Sequence, residues 1–313
     1  FEFVNNYDDY ITVDGFTFRG FTKGPNSGTH GSFGVGNISA YPHTGLVVKN
    51  CQVLNCAGTA GITIWCGTND IYENNVIDGS RAGYGIACRG LSTTTPTEGC
   101  IIRGNTINHI RSTSIKIIYS NNIQITRNKV GKSGSHGNAC SLYMNNNNVL
   151  FAHNITTESN SGVTMQDSSN IYIIGNALHA TADNVCVAWP DSKDTMRGDV
   201  YVLGNTIQRG EEKSTGGALG FSTAGTQARY VVINNIIDGA MYAEDVLDVT
   251  RHHNLYTDYS WKQVSKYGWA LAAGEFYNDN YTAVFKNPAI YDFSIQPGSP
   301  ADNKGSDISA YLP

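Results

Sequence analysis

A lysine stands in the middle of an otherwise apolar run, SIKII over residues 114–118. A strand of that kind hides its apolar members, so Lys116 faces outward, where a cation can hold an anion or take part in proton transfer. Arg89 ends a matching run, GIACR over 85–89, and its guanidinium fork suits a carboxylate. His136 lies in KVGKSGSHGNAC, a Gly/Ser-rich loop just before the run CSLYM that carries Ser141 and Tyr143. Histidine exchanges protons near neutral pH, and a tyrosine beside cations can serve as acid or base. Lys116, Arg89, His136 and Tyr143 together would remove and return a proton on an acidic substrate. An ordinary solvated face would use the same residue types, so that plainer reading stands beside it.

A second chemistry is hydrolysis by two carboxylates. Asp183 is the best placed, with Glu158 one loop away and Glu211 and Glu212 on the next. No cofactor is demanded. Asp191, Asp194 and Asp199 fall in one loop with the oxygen ligands that calcium takes, but Lys193 sits among them and a solvated acidic turn is the better explanation.

What must position these residues is a repeat. A short apolar run, an asparagine and one or two more apolar residues recur as LVVKNCQV, IYENNVI, CIIRGNTI, IQITRNKV, VLFAHNIT, IYIIGNAL, VYVLGNTI, VVINNII and HHNLY. The asparagines are Asn50, Asn75, Asn105, Asn128, Asn154, Asn176, Asn205, Asn235 and Asn254, separated by 19 to 30 residues. A unit that small cannot bury its own apolar face and must stack on its neighbours. Val, Ile and Tyr favour pleated surfaces, and no window keeps a helical period. The recurring Asn is expected at a bend, in a left-handed or bridge conformation, with its amide bonded to the Asn of the next unit. One strand precedes it by a turn (GITIW 61–65, GIACR, SIKII, CSLYM, GVTMQ 162–166, VCVAW 185–189, ALGFS 218–222), one ends at it, and one short strand follows.

This pattern resembles the right-handed parallel β-helix of the pectate-lyase-like superfamily, over roughly residues 10–256. The resemblance implies an all-β, single-stranded solenoid of about ten rungs, three strands per rung, with an asparagine ladder. It also implies a substrate cleft along the outward row of the first strands: Thr63, Trp65, Arg89, Lys116, Ser141, Tyr143, Thr164 and Gln166. In that superfamily lyases use Lys, Arg, His or Tyr to remove the proton beside a uronate carboxylate, and a second cation or a metal neutralises the charge. Trp65, Arg81, Arg111 and Gln166 are then expected to bind substrate, with His30 and His43 near one wall. The phrase DFSIQPGSPADN near the C-terminus looks like the closing segment of secreted bacterial β-helix enzymes acting on polysaccharides. The implied function is an extracellular polysaccharide-degrading enzyme, an endo-acting lyase cleaving a uronate polymer by β-elimination. A glycoside hydrolase with paired Asp/Glu, and a non-catalytic carbohydrate-binding β-helix such as an adhesin or tailspike fragment, are the alternatives, because one fold hosts many functions.

Composition narrows the field. Of 313 residues only 15% are charged and the net charge is −5, which disfavours nucleic acid as a partner. No apolar run is long enough to span a membrane. The expected organisation is a β-helix domain over 1–256 and an irregular capping segment over 257–313 packed on it, in a secreted or extracellular (or periplasmic) monomer. Seven cysteines give no zinc spacing; Cys51 and Cys56 are close enough in sequence to pair.

Overall fold

The computed structural model describes residues 2–3, 9–20, 35–37, 42–55, 60–79, 83–134, 137–181, 185–189, 198–209, 217–222, 229–239, 241–244, 249–256, 270–278, 284–287 and 292–299, with a few single positions after them. Three parallel sheets run along one axis, and each turn of chain adds one strand to each. The first sheet contains Ala60–Trp65, Tyr84–Arg89, Thr113–Ile118, Asn138–Tyr143, Ser161–Gln166, Cys186–Trp189 and Leu219–Ser222. These are the seven first strands legible in the sequence. The fold is a right-handed parallel β-helix.

Register builds the core. In the first sheet Ile62, Ile86, Ile115, Cys140, Val163, Cys186, Leu219 and Met241 lie in one inward column, all fully buried. In the second sheet Val48, Tyr72, Ile102, Ile125, Phe151, Ile173, Val202 and Val232 form another. Each rung adds one apolar layer to a continuous stack, so no rung is stable without its neighbours.

The bend between the second and third sheets differs from expectation by one residue. Positive φ belongs to the residue before each ladder position: Asn74, Gly104, Arg127, His153, Gly175, Gly204, Asn234 and His253. The ladder asparagines that follow point inward and are buried, and from Asn75 to Asn254 the backbone N–H and Nδ2 of each donate to Oδ1 of the next at 2.8–3.1 Å. The other Nδ2 proton goes to a carbonyl of the preceding rung, as from Asn154 to Ile125 at 2.9 Å. Every amide group is thereby used, which is what permits a polar column inside an apolar core. Asn50 is not in this column. It takes the left-handed bend, and Cys51 fills the inward place, its N–H donating to Asn75 Oδ1 at 3.0 Å. Cys51 is a free thiol 3.1 Å from the Lys49 carbonyl, and Cys56 lies outside the described residues.

At the far end the third sheet runs one strand past residue 256, Phe276–Tyr277 pairing with Leu255–Tyr256. Glu275 occupies the ladder place there, accepting from Asn254 Nδ2 at 2.8 Å. Its carboxylate also receives Tyr256 Oη at 2.7 Å, the Ala272 N–H at 2.8 Å and Arg251 Nε at 3.3 Å. An acceptor-only group ends a chain of donors without leaving one unpaired.

Candidate functional site

Outward positions of the first sheet form two columns. Thr63, Ala87, Lys116, Ser141, Thr164 and Val187 are in register in one; Trp65, Arg89, Ile118, Tyr143 and Gln166 are in register in the other. The first column alternates with core residues and so points away from the interior, yet Thr63 is only 8%, Ser141 1% and Thr164 4% exposed. These small polar residues face outward and are still buried, and they form the floor of this outer face.

Lys116 lies in that floor, half-buried. Its Nζ donates to Ser141 Oγ at 3.0 Å and stands 4.1 Å from the centre of the Tyr143 ring. One rung further, Asn138 Nδ2 donates to Thr164 Oγ1 at 3.1 Å. Among the described residues no ion pair involves Lys116. Burial without a counter-ion pushes its ammonium down to about 8, with the Cys140 thiol on the inward side opposing weakly. Such an amine is partly neutral at a mildly alkaline pH and can accept a proton.

Arg89 is exposed and lies over Trp65, 5.2 Å from the ring. It stacks in register on Ile118, not on Lys116, because the two cations occupy neighbouring columns. Gln166 continues the column after Tyr143. The fold thus brings Lys116, Tyr143, Arg89, Trp65 and Gln166 to one face. Arg111 and Glu158 are exposed at turns leading from the third sheet into the first, beside that face and not on its floor. His136, Asp183, Arg81 and His30 lie outside the described residues, as do Glu211, Glu212, Asp191 and Asp194. Asp199 is committed elsewhere, accepting from Arg229 Nη2 at 2.6 Å and Tyr201 Oη at 2.8 Å. His43 is not at a cleft wall. It is buried, its Nε2 2.7 Å from Asp70 Oδ2, with Tyr72 Oη donating to the same oxygen at 3.2 Å.

Thr63 was legible only as one of the outward row. Its Oγ1 is buried with no hydrogen-bond partner among the described residues, and nothing in GITIW announces that. Glu275 had a readable signal: GEFY over 274–277 repeats HNLY over 253–256 with the carboxylate in the asparagine's place.

The donors a metal would need are poorly placed. Cys51, Cys66, Cys88, Cys100, Cys140 and Cys186 are free and buried. Burial pushes the Cys186 thiol up to about 12 and raises those of Cys66 and Cys140 as well, and a hydrogen bond with Cys88 followed by burial raises that of Cys100, whereas metal ligation takes the thiolate. His252 and His253 face one another, Nδ1 to Nδ1 at 2.9 Å. No group of three or more His, Cys, Asp or Glu among the described residues is arranged to hold a metal ion.

Residues 3–206 match the model of the family described as "NosD: Periplasmic copper-binding protein (NosD)". The search of curated proteins gave no match. Among solved structures, the one titled "The complex structure of XylC with xylose" is similar, with 14% identity and a TM-score of 0.45. That similarity covers 69% of this chain and 42% of the other, so this chain spans less than half the length of that protein. The family match takes in well over half of the chain, and the chain therefore belongs to the NosD family and, with it, outside the cytoplasm.

Proposed function

We propose that this protein cleaves a uronate-containing polysaccharide by β-elimination, acting within the polymer on the outer face of the first sheet. The observation that carries the reading is Lys116: a desolvated amine without an ion-pair partner among the described residues, fixed between Ser141 and the Tyr143 ring. In its neutral form it takes the proton from the carbon beside the uronate carboxylate. The electron pair left behind spreads into that carboxylate, and Arg89 offsets the added charge. Tyr143 gives its phenolic proton to the departing glycosidic oxygen, which completes the elimination with no water consumed. Trp65 and Gln166 flank the reacting sugar along the second column, with Arg81 and Arg111 at the edges. Rungs repeat at about 4.8 Å, close to the rise of a sugar in an extended chain, so one polymer meets successive rungs in register. The protein acts as a monomer.

Copper enters none of these steps. The family description names it, but among the described residues no three donors are arranged to hold a metal ion, and burial holds the Cys140 and Cys186 thiols in their protonated form, which does not fit a copper ion.

Incubation with pectate, alginate and glycosaminoglycans, followed by the absorbance of the unsaturated product, tests the reading. A gain with one polymer that disappears in Lys116→Ala is the expected result. New reducing ends without absorbance, lost on Asp183→Asn or Glu158→Gln, would instead establish hydrolysis. Binding without any cleavage would make the face a carbohydrate-recognition surface.

A further inference from the structure

The floor is not uniform around Lys116. On one side the amine is held by Ser141 Oγ and the Tyr143 ring. On the other, its in-register neighbour is Ala87, and beyond that Thr63. A methyl group leaves the floor low there. Thr63 Oγ1 follows, more than nine-tenths buried and with no protein partner among the described residues. A buried hydroxyl left without a partner costs on the order of 1–3 kcal/mol, and a hydroxyl-bearing ligand would satisfy it. Thr63 and Lys116 are two strand spacings apart, roughly 9–10 Å. An extended five- or six-carbon sugar covers that length once the C–N bond at one end and a hydrogen bond from its terminal hydroxyl at the other are included.

We propose that Lys116 is a nucleophile as well, capturing the carbonyl carbon of an open-chain aldose as an imine, with the sugar lying over Ala87 and its far hydroxyl on Thr63. The amine lone pair forms the C–N bond as the carbonyl π pair moves to oxygen, which takes a proton released by nitrogen. The carbinolamine then loses one water as the C=N bond forms. Nothing is oxidised or reduced, and water reverses the reaction. Among the described residues, the charged or titratable groups facing Lys116 are the Tyr143 ring and, from the inward side, the Cys140 thiol. No carboxylate among the described residues pairs with the ammonium to hold it charged. Burial adds to this: at pH 7 about a tenth of an amine titrating near 8 is neutral, against less than about 0.1% of an ordinary lysine.

The inference does not depend on the elimination reading, and its test does not measure cleavage. The folded protein is treated at pH 7 with xylose, and separately with glycolaldehyde, in the presence of cyanoborohydride, which reduces any imine to a stable amine. Peptide mass mapping then compares Lys116 with Lys49, which pairs with Asp14, and with the exposed Lys129. Lys116 should be modified at least about tenfold faster than either, and urea should abolish the difference. Thr63→Val should slow xylose capture several-fold and leave glycolaldehyde capture unchanged. Labelling of Lys116 no faster than of Lys49, or a preference that survives in urea, would overturn the proposal. So would equal effects of Thr63→Val on both aldehydes. A protein that labels as described but cleaves no polymer keeps this inference and loses the elimination reading.

Discussion

The asparagine column and the outer floor of the first sheet are both buried polar rows running along the same axis, and they are built on opposite principles. In the column every donor meets an acceptor, from Cys51 N–H at one end to the Glu275 carboxylate at the other. On the floor, Thr63 Oγ1 has no partner among the described residues and Lys116 has a hydroxyl and a ring but no ion pair there. A satisfied row stabilises and does nothing else. An unsatisfied one costs stability and leaves groups available to a ligand, which is why strain of this sort marks functional sites.

Removing one member of the column should give the largest effect. Asn154→Ala deletes the Oδ1 that accepts from Asn128 N–H and Nδ2, and the Nδ2 that serves Ile125 O and Asn176 Oδ1. Several buried groups lose partners at once, so the expected cost is about 4–5 kcal/mol. Chemical denaturation followed by circular dichroism would measure it. A loss below about 1 kcal/mol would mean that water replaces the amide and that the two rows are not so different.

On the floor the same kind of truncation should spare the fold and remove the chemistry. Lys116→Ala is expected to lower polymer cleavage by about 10²–10⁴-fold, the usual worth of a general base, with unfolding unchanged or slightly harder. Full activity in this variant would place the reacting centre elsewhere on the sheet.

These two regions were not equally legible in the sequence. From Asn75 to Asn254 the column repeats once per rung with the same residue, so eight of the nine runs of text disclose it. The left-handed bend beside it accepts Asn, Gly, Arg and His, and that variety concealed its position. At Asn50–Cys51 the two roles fell on an Asn and a Cys, and the sequence reading placed the column on the wrong one. Lys116 stood out because it breaks an apolar run. Alternation alone put Ser141 and Tyr143 on its face, but which of them stands directly beside it depends on register between rungs, which brings Ser141 into its column and Tyr143 into the next. Thr63 has no sequence signal at all: a lone outward threonine is ordinary until its burial is known.

The column's end offers a smaller contrast. Glu275→Gln keeps the shape but replaces an acceptor-only carboxylate with an amide that must place two protons among Asn254 Nδ2, Tyr256 Oη, Ala272 N–H and Arg251 Nε, all donors. A cost of about 2 kcal/mol is expected, with Arg251 left without its buried counter-charge. Thermal unfolding of the variant would read it. An unchanged midpoint would mean that the column needs no closing acceptor.

The smallest effect separates the two rows by pH. Lys116 titrates near 8 in the folded protein, while its unfolded value is that of an ordinary lysine, near 10.5. Between those values the unfolded chain binds more protons than the folded one, so stability rises with pH across that window. Above it the contribution is fully present; as pH falls through about 8 it is lost, because folding must then bury the charged ammonium. The half-exposed setting of the amine reduces the size to about 1–2 kcal/mol. The asparagines of the column carry no titratable group and add no slope. Denaturation midpoints from pH 7.5 to 10.5 should therefore climb relative to those of Lys116→Met, which lacks the rise and is the more stable protein at pH 7.5. Parallel curves for the two proteins would show that the lysine is solvated, and the contrast between a satisfied and an unsatisfied row would then rest on Thr63 alone.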